Sequence, residues 1–150
     1  MKKKYAGYIN LKNLNGVLYP SSTQNIIMKD YINSINGIFY LSPTEVLQSR
    51  HPITLRTLLG KETNVNGIVM LSSFYLPETE ELRNQIYTES VKFKKSLHFI
   101  LDELVFNNKK DILKIEEYLF YNTNFFTQTR KKLNKFEEKI IKNYKNITFV

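Results

Sequence analysis

Gly67-Ile68-Val69-Met70-Leu71 is an unbroken apolar run, entered from Asn64-Val65-Asn66 and left through Ser72-Ser73. It is too short for a helix and lacks the in-and-out alternation of a half-exposed strand, so it reads as a strand covered on both faces. Such strands belong to parallel sheets, whose neighbours need crossovers of about a dozen residues. The flanking sequence supplies them. On the C-terminal side, Pro77 with Glu78, Glu80 and Glu81, and later Lys92, Lys94 and Lys95, predicts a long helix whose ends match the helix dipole. Ser96 to Leu101 then returns as a strand. On the N-terminal side, Ile53 to Leu59 predicts a short helix stopped by Gly60, and Ile38 to Leu41 a short strand. Ser21-Ser22-Thr23-Gln24 has the form of a capping box for a first helix that ends at Asn36-Gly37, and Tyr5 to Ile9 reads as the first strand. The expected fold class is α/β: a single domain with a mostly parallel four-stranded sheet (5–9, 38–41, 67–71 and 97–101) and helices on both faces.

Asn107-Asn108 caps a further helix over 111–120, and from Asn122 onward the spacing of Phe126, Leu133, Phe136, Ile140, Tyr144 and Ile147 predicts a C-terminal amphipathic helix. Residues 1–121 are therefore expected to form the α/β domain and 122–150 a basic helical extension of it. Leu133, Phe136 and Ile140 of that helix, placed over 124–144, are expected to be buried on the core or across a homodimer.

The chain has 150 residues, 42% of them hydrophobic, which supports a packed core and excludes a disordered chain. The absence of cysteine excludes disulfides and thiolate catalysis and leaves His51 and His98 as the histidine ligands available to a metal. No metal and no cofactor are expected. No apolar run is long enough to span a membrane, and Met1-Lys2-Lys3-Lys4 does not lead into a secretory signal, so a cytoplasmic protein is expected. The net charge is +8, of which residues 1–121 hold +3 (15 basic against 12 acidic) and residues 122–150 hold +5 (7 against 2). A basic tail attracts phosphates, but the sequence lacks a recognition motif, which argues against nucleic acid as the partner.

In an open α/β sheet, ligands sit outside the carboxyl ends of the strands. Position alone selects Asn10 after the first strand, Ser42, Thr44 and Glu45 after the second, Ser72, Ser73 and Tyr75 after the third, and Asp102 and Glu103 after the fourth. This set of hydroxyls, amides and carboxylates suits a polyhydroxylated ligand. Glu45 and Glu103 are the acid–base candidates, although Glu45 equally suits a capping box with Ser42. Gln24 has the same two readings. His98 lies within the fourth strand, either as a hydrogen-bonded core residue or as a catalyst. Arg83 and Tyr87 share one helix face. Ser72-Ser73 lacks the Gly-x-Ser-x-Gly elbow, and no glycine-rich phosphate loop is present.

The ordered set Gln24-Asn25, Asp30-Tyr31, Leu41-Ser42, Thr44-Glu45, Gly67-Ile68-Val69, Ser73, Leu76-Pro77, Arg83, Tyr87, Ser96-Leu97-His98-Phe99, Glu103-Leu104 and Ile112 to Glu116 resembles the sporadic carbohydrate cluster proteins over residues 5–121. The resemblance implies bacterial surface-polysaccharide (capsule or O-antigen) biosynthesis. In that setting the chain is expected to be an enzyme acting on a nucleotide sugar, a sugar phosphate or a related glycan precursor. Glu45, Glu103 and His98 would be catalytic, with Asn10, Gln24, Asn25, Ser42, Thr44, Ser72, Ser73, Tyr75 and Arg83 as binders. The alternative is a noncatalytic partner of a glycosyltransferase or another pathway enzyme. A fainter resemblance, in fold only, is to the catalytic domain of resolvase-type serine recombinases. Those enzymes need a serine nucleophile and an arginine just after the first strand, where this chain reads Tyr8-Ile9-Asn10-Leu11-Lys12. Their arginine-rich turn after the third strand is replaced by Ser72-Ser73-Phe74-Tyr75-Leu76-Pro77.

Overall fold

The computed structural model describes residues 1–47, 50–123, 135, 138, 139 and 142. Five strands, β1 (Lys4–Gly7), β2 (Ile38–Phe39), β3 (Gly67–Met70), β4 (Ser96–Phe99) and β5 (Leu104–Phe106), form one sheet in the order β2-β1-β3-β4-β5. The first four are parallel, and β5 runs antiparallel to β4. The helices α1 (Ser21–Ser34), α2 (Ile53–Leu59) and α3 (Glu80–Lys92) are the crossovers, and helical residues 112–123 (α4) follow β5. The architecture is thus α/β with a mixed five-stranded sheet, one strand more than the expected four. Leu104-Val105-Phe106 escaped notice because its in-and-out pattern spans too few residues to show a period. Contacts divide the chain into Met1–Ile115 and Glu116–Val150. All strands and all the candidate site residues belong to the first unit. The expected burial of Leu133, Phe136 and Ile140, and the homodimer through them, lie outside the described residues.

Strand register decides which helix covers which face. Tyr5, Gly67 and Ser96 form one row, and Gly7, Val69 and His98 the next but one. Their side chains share a face, and α1 covers it. A β-carbon at Gly7 would lie 2.8 Å from Met28 Cε and 3.0 Å from Ser42 Cβ, so α1 and the chain after β2 pack closely there and a larger residue would have to displace the Met28 side chain. The alternate residues Ala6, Ile68, Leu97, Met70 and Phe99 point to the other face, where α2 and α3 pack on each other and on β3 and β4. Ile68, Val69 and Met70 are fully buried, and each contributes about 1.5–3 kcal/mol relative to exposure.

Two local expectations are corrected. Ser42-Pro43-Thr44-Glu45 does not start a helix. It stays extended beside the end of β1, because the Ile9 amide donates to Pro43 O (3.0 Å) and the Glu45 amide to Ile9 O (2.8 Å). Nor does Gln24 close a capping box. Pro20 precedes α1 without a side-chain cap, and the Gln24 side chain reaches the loop after β1 instead. Among the described residues no helix is long and apolar enough to cross a membrane.

Candidate functional site

Reversal of the chain direction around β1 makes a crevice between the carboxyl ends of β1 and β3, since β1 leads out to β2 on one side and β3 lies on the other. A cleft of about 580 Å³ opens there. Tyr8, Asn10 and Glu45 line it from the first two strand ends, Tyr75 and Thr79 from the segment after β3, and Lys12 and Arg50 supply its cations. Its apolar walls include Leu11, Val46, Leu47, Leu76, Pro77 and Leu82.

Glu45 is the most constrained group in the cleft. One carboxylate oxygen accepts from the Val46 amide (2.9 Å) and the Thr54 amide (3.1 Å). The other accepts from the Tyr8 hydroxyl (2.9 Å) and the Leu55 amide (3.1 Å). Thr54 and Leu55 are in the first turn of α2, which Pro52 precedes without a side-chain cap of its own. Glu45 therefore caps α2 from a distance of nine residues in sequence, with its charge at the positive end of the helix. Two donors on each oxygen fill its acceptor sites.

Tyr8 is fully buried, and burial first, then the Glu45 charge, pushes its hydroxyl pKa upward. Its oxygen also accepts from Asn10 Nδ2 (3.2 Å), while Asn10 Oδ1 accepts from the Lys12 amide (2.9 Å). Gln24, fully buried, donates to Asn10 O (2.7 Å) and Tyr19 O (2.8 Å) and so fixes both ends of the intervening loop. Lys12 Nζ bonds Phe74 O (3.2 Å) and pairs with Glu78 (3.5 Å), which ties the β1 loop to the β3 loop across the cleft. Tyr75 is 2% exposed, and its hydroxyl has no hydrogen-bond partner among the described residues. Burial, then Tyr19, pushes it up to about 12.

Of the residues selected from sequence, the cleft brings together Asn10, Glu45 and Tyr75. Ser72 and Ser73 are held behind it: Ser72 Oγ donates to Asp102 (2.9 Å), and the Ser73 amide and hydroxyl both reach the same carboxylate at 2.6 Å. Ser42 Oγ donates to Asn25 Oδ1 (2.9 Å), joining α1 to the chain after β2, and exposed Thr44 accepts from Thr54 Oγ1 through its carbonyl (3.2 Å). Arg83 braces the loop after β3 through Pro77 O (3.1 Å) and Glu78 O (2.6 Å). His98 lies under α1 with Nδ1 2.8 Å from the Tyr31 hydroxyl and Nε2 2.9 Å from Ser96 Oγ. Glu103 is exposed, with φ of 54°, in the turn between β4 and β5, and does not line the cleft that Glu45 lines. Tyr8, Lys12 and Arg50 were missed. Tyr8 was recoverable, because a residue two before Asn10 in an extended chain projects to the same side.

No family model matches the chain, and no curated protein does. Among solved structures it is similar to the crystal structure of the N-terminal catalytic domain of TP901-1 integrase. The TM-score is 0.59 and the sequence identity 12%, over 92% of this chain and 98% of that chain. At this identity the likeness is one of fold, and it supports the resemblance to the catalytic domain of resolvase-type serine recombinases at that level. It overturns the polysaccharide reading: the neighbour is an integrase domain, and capsule or O-antigen synthesis, a nucleotide-sugar or sugar-phosphate ligand and a glycosyltransferase partner all go unsupported. The argument against nucleic acid as a partner is corrected by the same finding.

Proposed function

We propose that this chain is a ligand-binding domain on a recombinase-type scaffold, without the serine chemistry of DNA strand cleavage, acting in the cytoplasm. The observation that carries the reading is the end of β1. Asn10 stands there, hydrogen-bonded to Tyr8 and to the Lys12 amide, in a cleft large enough for a small molecule. The serines after β3 do not replace the missing nucleophile, since both are buried and turned to Asp102. Glu45 is a cap rather than a base, because its oxygens are filled.

What the cleft leaves to a ligand is an apolar wall, the second N–H of the Asn10 amide and the Arg50 guanidinium, while Lys12 is engaged by Glu78. That combination fits a molecule with an apolar body and a single carboxylate or amide end. Fragment screening by amide chemical shifts tests it. Small aryl and alkyl carboxylates should shift Asn10, Lys12 and Thr79, and Asn10→Ala with Arg50→Ala should weaken binding about tenfold, as loss of about 1.4 kcal/mol requires. Shifts confined to other surfaces, or a covalent adduct between the protein and duplex DNA, would sink the proposal.

A further inference from the structure

The +5 charge of residues 1–115 is divided unequally between the two ends of the sheet. At the carboxyl ends, Glu78, Glu80, Glu81, Asp102 and Glu103 outnumber Lys12, Arg50 and Arg83, even with Glu45 set aside as a helix cap. Lysines crowd the amino ends. Lys2 and Lys3 are exposed just before β1, and Lys92, which ends α3, and Lys94, which follows it, are exposed as well. Lys61 is brought in because Lys95 Nζ binds Gly60 O (2.6 Å) and Thr63 O (2.6 Å). Lys109 and Lys110, also exposed, arrive by another route: β5 runs antiparallel, with Phe106 opposite Leu97, so the chain after it emerges at the same edge. The acids near this edge are Asp30, Glu62, Glu89 and Asp111. Glu89 is taken by Arg56 at 2.5 Å, and Asp111 by the amides of Asn107 (2.8 Å) and Asn108 (3.1 Å).

We propose that this amino edge is a docking surface for the phosphate backbone of duplex DNA, separate from the cleft. From β1 to β5 is three strand steps, about 14 Å at the usual sheet spacing. That width matches a B-DNA major groove of about 12 Å and lets the outer lysines meet phosphates on both of its rims. A polyanion gains at this edge, while the loops at the carboxyl ends of the strands, where acids outnumber bases, attract it less.

Fluorescence anisotropy of the full chain with a duplex oligonucleotide, between about 50 and about 200 mM salt, tests it. Lys2→Glu, Lys61→Glu and Lys110→Glu together should weaken binding at least about tenfold at the lower salt and make the slope of log K against log salt about 3 shallower. Lys131→Glu, Lys132→Glu and Lys142→Glu make the same change in net charge and should weaken binding less. Should the edge variant lose its circular dichroism spectrum, the Lys→Gln triple at the same positions replaces it, with the same direction expected. Any of four results overturns the proposal: no duplex binding by the parent, unchanged affinity in the edge variant, equal loss in the two swaps, or preference for a single strand of equal length.

Discussion

His98 gives the sharpest test of how the sheet is held to α1. Its two ring nitrogens are engaged by Tyr31 and Ser96, and Tyr5 packs edge-on with ring centroids 5.2 Å apart. Burial first, and the charge of Lys3 second, hold its pKa down to about 4 from 6.5. The folded value lies below the unfolded one, so the unfolded chain binds the extra proton in the interval between them. The contribution of neutral His98 is therefore complete above about pH 6.5 and is lost as the pH falls through about 4. At about 1.4 kcal/mol per tenfold change in proton affinity, the loss across that window is about 3 kcal/mol. His98→Gln keeps a polar group under α1 but does not titrate. Urea unfolding of both proteins, followed by circular dichroism at several pH values from 7 to 4, isolates the effect, since the carboxylates and His51 are common to the two. The variant should be about 1 kcal/mol less stable at pH 7, and by pH 4 the order should reverse, with the variant about 2 kcal/mol the more stable. A gap that stays constant over this range refutes the reasoning.

Two further substitutions probe the caps of α2. Glu45→Gln turns an amide N–H2 toward at least one backbone N–H in either orientation, so chemical denaturation should show a loss of about 2–3 kcal/mol, with faster hydrogen exchange at Thr54 and Leu55. At the other end of the helix, Lys95 is 6% exposed and donates to the carbonyls of Leu58, Gly60 and Thr63. Lys95→Met should therefore cost about 3 kcal/mol by leaving those carbonyls without a donor, and a thermal melt indistinguishable from the parent would contradict that role.

The parallel core was legible because β3 is apolar at every position, a pattern that only burial on both faces explains. The same logic failed at Ser42-Pro43-Thr44-Glu45. Local spacing there fits a capping box, but backbone pairing with Ile9, a contact far off in sequence, takes the amides that a helix would have used. Position after a strand found Asn10, Glu45 and Tyr75, since the carboxyl end of a parallel strand is fixed by topology. It could not say whether a carboxylate is free. Glu45 and Glu103 look equivalent in sequence, yet four donors converge on one while the other faces solvent on a left-handed turn residue. Satisfaction of a polar group depends on distant backbone amides, and no local pattern reports them.

Net charge misled for a related reason. The formal +8 of the chain is an average over surfaces that face different ways. Assigning each residue to one end of the sheet separates acidic loops at the carboxyl ends from a basic amino edge, and only after that separation does the charge carry information about a partner. The separation has a structural origin. Helices in a parallel sheet begin at the carboxyl ends of the strands and finish at the amino ends, so Glu80 and Glu81 at the start of α3 and Lys92 at its finish each sit where the helix dipole favours them. Stabilising the helix thereby charges the two ends of the sheet oppositely. Helix energetics account in this way for Lys92 alone, since α1 has no charged residue at either end, and the lysines outside the helix, Lys2, Lys61 and Lys110, then distinguish a surface shaped for a polyanion from one that merely satisfies its dipoles. For that reason the decisive swap changes those three and leaves Lys92 in place.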